Sequence, residues 1–247
     1  MHVDKLFGLI GYPLKNTFSA DFFNAKFKAL NLPYQYKNFP IEDVLFLKTL
    51  LQQNTNLVGL NVTMPHKTSV MALIDFISSE AAEVNAVNCI SIKEGKTTGY
   101  NTDVIGFEKS FFNWFEPKKY DTNKALILGN GGASKAVQYV FKKKAIAYQV
   151  VSRKNGDIVY QDLSENKIAE YNIIINCTTI GMHPNIKDYL NIPFNGITHK
   201  HYCYDLIYLP EETFFLKQAK ARGAHTKNGL EMLYMQAEAA WQIWQNN

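Results

Sequence analysis

Leu126-Ile127-Leu128-Gly129-Asn130-Gly131-Gly132-Ala133-Ser134-Lys135 decides the fold. The apolar run Ala125–Leu128 reads as a buried strand, and the pattern over Ala133–Lys143 reads as a helix. A glycine turn joins them. Gly129 permits the tight turn, Gly131 lets a pyrophosphate approach the backbone, and Gly132 leaves the next peptide unshielded. The helix start offers N–H groups and a positive dipole end to that anion. Ser134 replaces the usual third glycine, and with Ala133 it is small enough for close helix–strand packing. A loop so placed favours nucleotide binding over a bare turn.

The next strand, Ala147–Val151, ends in Ser152-Arg153-Lys154. An acidic residue there would bond the ribose hydroxyls of NAD, whereas a guanidinium and an ammonium suit the 2′-phosphate of NADP. The alternative is a solvated loop. Further strands are expected at Ile173–Cys177 and Tyr202–Ile207, with a helix over Glu211–Arg222.

Upstream of this unit the alternation of strand and helix begins again at the N-terminus. Strands are read at Leu6–Ile10, Tyr34–Phe39 and Leu57–Val62, with helices over Ser19–Leu30 and Ile41–Leu51, so a parallel sheet is expected. Ala86–Ile92 and Thr97–Tyr100 flank Glu94-Gly95, a hairpin signal. The run Asn61-Val62-Thr63-Met64-Pro65-His66-Lys67 leaves the third strand, and Pro65 suits the first turn of a helix that Lys67 would open. Asn61, Thr63 and Lys67 are thereby delivered to the carboxyl edge, where ligands sit in open α/β sheets. Asn101-Thr102-Asp103 precedes a helical pattern of Phe107, Phe111 and Phe115, and Thr102 or Asp103 could equally be a helix cap.

A chain of 247 residues accommodates about two α/β cores. The net charge of +4 carries no Lys/Arg tract, which argues against a nucleic-acid partner. Cys89, Cys177 and Cys203 are scattered without zinc or CxxC spacing, so no metal site is expected and free thiols in a reducing compartment are. No signal-peptide layout and no membrane-length apolar run is present, and the expectation is a cytoplasmic protein with no membrane contact.

The segments NVTMPHK, YNTD, LGNGGASKAV, NCTTIGM, YDLIYLPEETFFL and NGLEMLYMQA together resemble the shikimate dehydrogenase family. They follow the family's order over nearly the whole chain. The resemblance implies an α/β protein of two domains. Residues 1–102 plus 230–247 would form the substrate domain, and 103–229 a Rossmann-type NADP-binding domain. The last helix, Leu230–Trp244, would return to the first domain. The implied reaction is reversible reduction of 3-dehydroshikimate to shikimate by NADPH, a step of the shikimate pathway toward chorismate and the aromatic amino acids.

By the same resemblance Thr17 and Ser19 would bind the carboxylate. Asn61, Thr63, Asn88 and Asp103 would grip the ring hydroxyls, with Tyr208 and Gln236 completing the pocket. Lys67 and Asp103 form the catalytic pair, Lys67 as proton donor or as fixed charge. Gly129, Asn130, Gly131, Gly132, Ala133, Ser134, Ser152, Arg153 and Lys154 would hold the nucleotide, with Thr178, Gly229 and Met232 bordering the nicotinamide. His66 is peripheral. The chain departs from the family at Asn16, Thr17 and Ala20, which bears on carboxylate-loop geometry. The rival readings are a quinate/shikimate dehydrogenase that also uses NAD, a non-catalytic NADP-binding homologue, and a two-domain dehydrogenase for a folate or glutamate derivative. Monomer and homodimer are both compatible with the resemblance.

Overall fold

The structure is a computed structural model describing residues 4–14, 17–116 and 123–246. Two compact units divide the chain, one running to Thr102 and resuming at Ala237, the other spanning Asp103–Gln236. The second cut falls inside the final helix, so the first turns of that helix group with the second unit, not with the first as the sequence reading had it.

The first unit contains β1 (Lys5–Gly11), α1 (Phe18–Ala29), β2 (Tyr34–Pro40), α2 (Phe46–Gln53), β3 (Leu57–Val62), β4 (Phe76–Ile77), α3 (Ser79–Val84), β5 (Cys89–Lys93) and β6 (Lys96–Tyr100). Its sheet runs β2-β1-β3-β5-β6-β4. β1 lies parallel to both β2 and β3, but β5 is antiparallel to β3 and to β6. β1, β2 and β3 are thus parallel, as their alternation with helices implies, and the expected hairpin of β5 and β6 makes the sheet mixed: Glu94 (φ 50°) and Gly95 (φ 74°) both take left-handed backbone, the two-residue turn that matches strand twist.

Three boundaries differ from the sequence pattern for local reasons. Ala86 and Val87 bond outside the sheet, to Asn101 Nδ2 (2.8 Å) and to the Lys67 carbonyl (2.7 Å), so β5 starts at Cys89. Asp43 Oδ1 accepts from Leu45 N–H (2.9 Å) and holds a turn, so α2 begins at Phe46. Lys67 does not open an α-helix. His66 N–H closes a turn on the Thr63 carbonyl (3.0 Å), and only a short 3-10 helix, Ser69–Leu73, follows; the Met64–Pro65 peptide is cis.

The core of this unit is rich in aromatic rings. Phe7, Phe23, Phe27 and Tyr36 pack with Trp241 and Trp244 of the returning helix. Burying each such side chain contributes roughly 1.5–3 kcal/mol. Trp244 also donates from Nε1 to the Ile90 carbonyl at 3.0 Å, which fixes that helix on the sheet.

The second unit is built from α4 (Thr102–Phe112), β7 (Lys124–Leu128), α5 (Gly132–Lys143), β8 (Ala147–Ser152), β9 (Ile158–Val159), α6 (Glu165–Ala169), β10 (Ile173–Asn176), β11 (Tyr202–Asp205), α7 (Phe214–Ala221), β12 (His225–Lys227) and the first turns, as far as Gln236, of α8 (Leu230–Gln245). The sheet order β12-β11-β10-β7-β8-β9 is parallel throughout. It is the doubly wound dinucleotide-binding order, whose reversal lies between β7 and β10. α5 buries Ala136, Val137, Val140 and Phe141 along one stripe, as its 3.6-residue period requires. α7 starts at Phe214, not Glu211, because Thr213 caps it by accepting from Leu216 N–H (3.3 Å).

Candidate active site

In the second unit the glycine loop leaves β7 at the sheet's switch point. Gly129 has φ 100°, a conformation that L side chains resist, and its N–H donates to the Val151 carbonyl at 2.8 Å. A methyl group there would stand 2.9 Å from Thr178 Cγ2, so the glycine turn and the loop after β10 touch. Gly131 is the N-cap of α5, and no side chain caps the helix. A methyl group at Gly131 would meet no atom within 4 Å. Open ground in front of uncapped N–H groups is what a pyrophosphate needs. These residues fit the nucleotide that the sequence implies.

Ser134 is buried in the first turn of α5 beside Gly132 and Ala133, close to the Cys177 thiol. Gln138 Nε2 donates both to Ser134 Oγ (3.0 Å) and to Asn130 Oδ1 (3.3 Å). Asn130 Nδ2 in turn donates to the Asn155 carbonyl at 2.6 Å. Ser152 Oγ accepts from Asn155 N–H at 3.0 Å and shapes the turn that exposes Arg153 and Lys154. The glycine loop and the basic turn after β8 are thus one bonded piece. Gln138 carried no sequence signal, because a glutamine on an amphipathic helix reads as solvated.

The loops after β10 and β11 are organised by Asp205, which the sequence reading did not single out. Its carboxylate accepts from Thr213 Oγ1 (2.6 Å), Ile207 N–H (3.0 Å) and Asn176 Nδ2 (3.0 Å). Burial pushes this carboxyl up to about 6, against the pull of those donors. Asn176 Oδ1 accepts from the N–H and hydroxyl of Thr178, at 2.9 and 2.8 Å. Tyr208 is half-buried just beyond Ile207, and burial raises its phenol.

Gly229 lies where α8 begins, its N–H on the Ile207 carbonyl at 3.1 Å. A methyl group there would stand 2.6 Å from the Leu206 carbonyl carbon and closer still to its oxygen. Backbone cannot yield as a flexible side chain does. Gly229→Ala is therefore expected to lower the unfolding free energy by about 3 kcal/mol, measured by denaturant titration. Along α8, Met232 is buried, and Gln236 Nε2 donates to the Leu233 carbonyl at 2.9 Å. Asp103 is buried in the first turn of α4.

In the first unit the polar residues gather at that sheet's own reversal, the carboxyl ends of β1 and β3. Thr63 N–H donates to the Ile10 carbonyl (2.9 Å) and Tyr12 N–H to the Met64 carbonyl (3.0 Å). Asn61 Oδ1 accepts from Tyr36 Oη–H at 2.8 Å, and its Nδ2 reaches the Asn88 carbonyl at 3.4 Å. Asn88 Oδ1 accepts from Thr102 N–H at 2.6 Å. Both amides are therefore oriented by the protein. Lys67 is half-buried, and its carbonyl accepts from Val87 N–H. His66 is buried with Nε2 on the Ile41 carbonyl at 2.7 Å, which ties it to the loop after β2.

Thr17 is the N-cap of α1, accepting from Ala20 N–H at 3.4 Å while its hydroxyl donates to Asn38 Oδ1 at 2.8 Å. Ser19 lies beside Tyr36 and partly counters the rise that burial gives its phenol. Asn16 lies outside the described residues. Among the described residues no group of three His, Cys, Asp or Glu side chains could hold a metal ion, and no helix is long and apolar enough to cross a membrane.

A doubly wound unit with an uncapped glycine loop, in one chain with a second α/β unit bearing a polar cluster, defines a nucleotide-dependent oxidoreductase of two α/β units. Residues 9–90 match the family model described as the shikimate dehydrogenase substrate binding domain. The shikimate dehydrogenase (NADP+) of Caldanaerobacter subterraneus subsp. tengcongensis is 37% identical, over 97% of this chain and 91% of the relative. The chain belongs to the shikimate dehydrogenase family. A shikimate dehydrogenase crystallised with NADP+ superposes with a TM-score of 0.83 at 33% identity, over 98% of this chain and 90% of the other. The quinate dehydrogenase of Corynebacterium glutamicum, solved with NAD, gives a TM-score of 0.85 at 27% identity, over 99% and 94%.

Proposed function

We propose that this chain reduces 3-dehydroshikimate to shikimate with NADPH, reversibly, as a metabolic enzyme of the cytoplasm feeding chorismate and aromatic amino-acid biosynthesis. The observation that carries the reading is the open, uncapped Gly131 at the switch point of the doubly wound sheet, bonded through Asn130 to the turn that bears Arg153. The family membership supplies the substrate class.

Bound NADPH supplies the hydride. Lys67 is assigned the oxygen of the reacting carbonyl: its ammonium stabilises the charge that develops there and delivers the proton. Asp103, buried at the start of α4, is assigned a ring hydroxyl proton. Asn61 and Asn88 have their Oδ1 atoms engaged by Tyr36 and Thr102, and one hydrogen of each amide nitrogen is given, to the Asn88 carbonyl and to Thr102 Oγ1 respectively, so it is the second N–H of each that serves the ring oxygens. Thr63 adds a hydroxyl beside them, Thr17 and Ser19 the carboxylate loop, and Tyr208 and Gln236 further polar groups. Thr178, Gly229 and Met232 are assigned to the nicotinamide end of the cofactor.

A second reading, a quinate/shikimate dehydrogenase that also takes NAD, is favoured by the structural likeness to the quinate enzyme. Arg153 and Lys154 argue against it, since neither offers the carboxylate that NAD's ribose prefers. Loss of NADPH absorbance on mixing with 3-dehydroshikimate, beside NADH and with quinate in the reverse direction, separates the two. Hydrogen bonds to charged groups contribute roughly 1.5–3 kcal/mol, so Arg153→Ala is expected to raise the KM for NADPH at least about tenfold and leave that for NADH unchanged. Equal effects on both cofactors would remove Arg153 from the 2′-phosphate.

A further inference from the structure

We infer that Tyr36, a β2 residue outside the set assigned above, is a positioning residue that sets the substrate-side donors before the ligand arrives. The inference rests on the reading under Proposed function and deepens it. Tyr36 is buried and stacks on Phe23 with ring centroids 4.9 Å apart and planes 13° from parallel. Its backbone is clamped by Asn24 of α1, which donates to the Tyr36 carbonyl (3.0 Å) and accepts from its N–H (2.9 Å). Ring and backbone are both fixed, so the hydroxyl has a single location.

That hydroxyl reaches a strand far away in sequence: it donates to Asn61 Oδ1 of β3 at 2.8 Å, with Ser19 of α1 beside it. Burial raises the phenol well above its usual range, so it stays protonated across the working pH and always gives in one direction. The consequence for Asn61 is specific. A primary amide can flip, exchanging oxygen for nitrogen at nearly equal shape, unless a one-way donor faces it. Tyr36 is that donor, and it holds the Asn61 Nδ2 group as the one offered to a ring oxygen.

Two residues further on β2, on the same face, Asn38 accepts the Thr17 hydroxyl proton at 2.8 Å. Alternate residues of β2 thus reach the carboxylate loop, Asn38 by its bond to Thr17 and Tyr36 beside Ser19, at the spacing a strand imposes.

The test is Tyr36→Phe, which removes one atom and keeps the stacked ring. Steady-state kinetics with 3-dehydroshikimate and NADPH are run beside wild type and Phe23→Leu, which loosens the same packing and leaves every hydroxyl in place. The expected result is a KM for 3-dehydroshikimate raised about tenfold in Tyr36→Phe, as for one lost hydrogen bond plus a misoriented amide. The KM for NADPH and kcat stay within about twofold, and Phe23→Leu keeps the wild-type KM while melting lower. An unchanged KM in Tyr36→Phe, or equal KM increases in both variants, overturns the positioning role. An inactive wild-type protein overturns the substrate reading itself and takes this inference with it.

Discussion

Replacing Lys67 by alanine lowers kcat for 3-dehydroshikimate reduction by about 10³-fold and leaves NADPH affinity within about twofold. A positioned proton donor contributes about 10²–10⁴-fold, and the same ammonium also neutralises the developing charge. Lys67 is half-buried, and its backbone carbonyl, which accepts from Val87 N–H, is kept by the substitution. NADPH affinity is read by fluorescence titration and turnover by absorbance. Retained turnover would falsify the catalytic assignment. Lys67→Arg then separates the two roles left open for this residue. A guanidinium keeps the charge but does not give up its proton, so survival of activity in that variant identifies a fixed charge, and its loss identifies a proton donor.

Gly131→Asp weakens NADPH binding at least about 100-fold, close to 3 kcal/mol, while the protein remains as stable as wild type. The two halves of this expectation come from one position. Gly131 precedes α5 with φ −89° and ψ −175°, extended backbone open to any residue, and a methyl group there touches nothing. Aspartate is among the preferred N-caps, so the helix gains a few tenths of a kcal/mol. The carboxylate then occupies the N–H groups and repels the phosphates that would use them. Calorimetric titration with NADPH and a thermal melt measure both halves. Undiminished NADPH binding would remove this loop from the cofactor site.

The nucleotide-binding unit was the more legible half of the chain. Its strands are short apolar runs and α5 carries a clean stripe, so period and glycine spacing gave the strand–turn–helix directly. The two- and three-residue strands β4, β9 and β12 are too short to show any period. α3 and α6 are single turns or little more, set by Ser78 and Ser164 caps. The run after β3 misled because Pro65 fits a first helical turn equally well on paper, and only the bond from His66 to Thr63 shows a tight turn instead. Within the site, glycines and charged residues could be read from type and order. Tyr36 and Asp205 could not, since a tyrosine in a strand and an aspartate at a strand end have ordinary structural uses. Their bonding to Asn61 and Asn176 exists only once distant segments meet.

The sheet edges have a bearing on how the protein behaves at high concentration. Among the described residues, three of the four edge strands, β4, β9 and β12, are two or three residues long and offer almost no ladder to an incoming chain. β2 is the exception at seven residues. Its outer rim is blunted at Tyr36, where Asn24 occupies both backbone groups, and ends at Pro40, which has no N–H to give. The side chain that clamps the site residue thus also occupies backbone groups on the longest edge strand among the described residues and hinders intermolecular strand addition there, so a loss of Asn24 would be felt first as poor colloidal behaviour in concentrated solution.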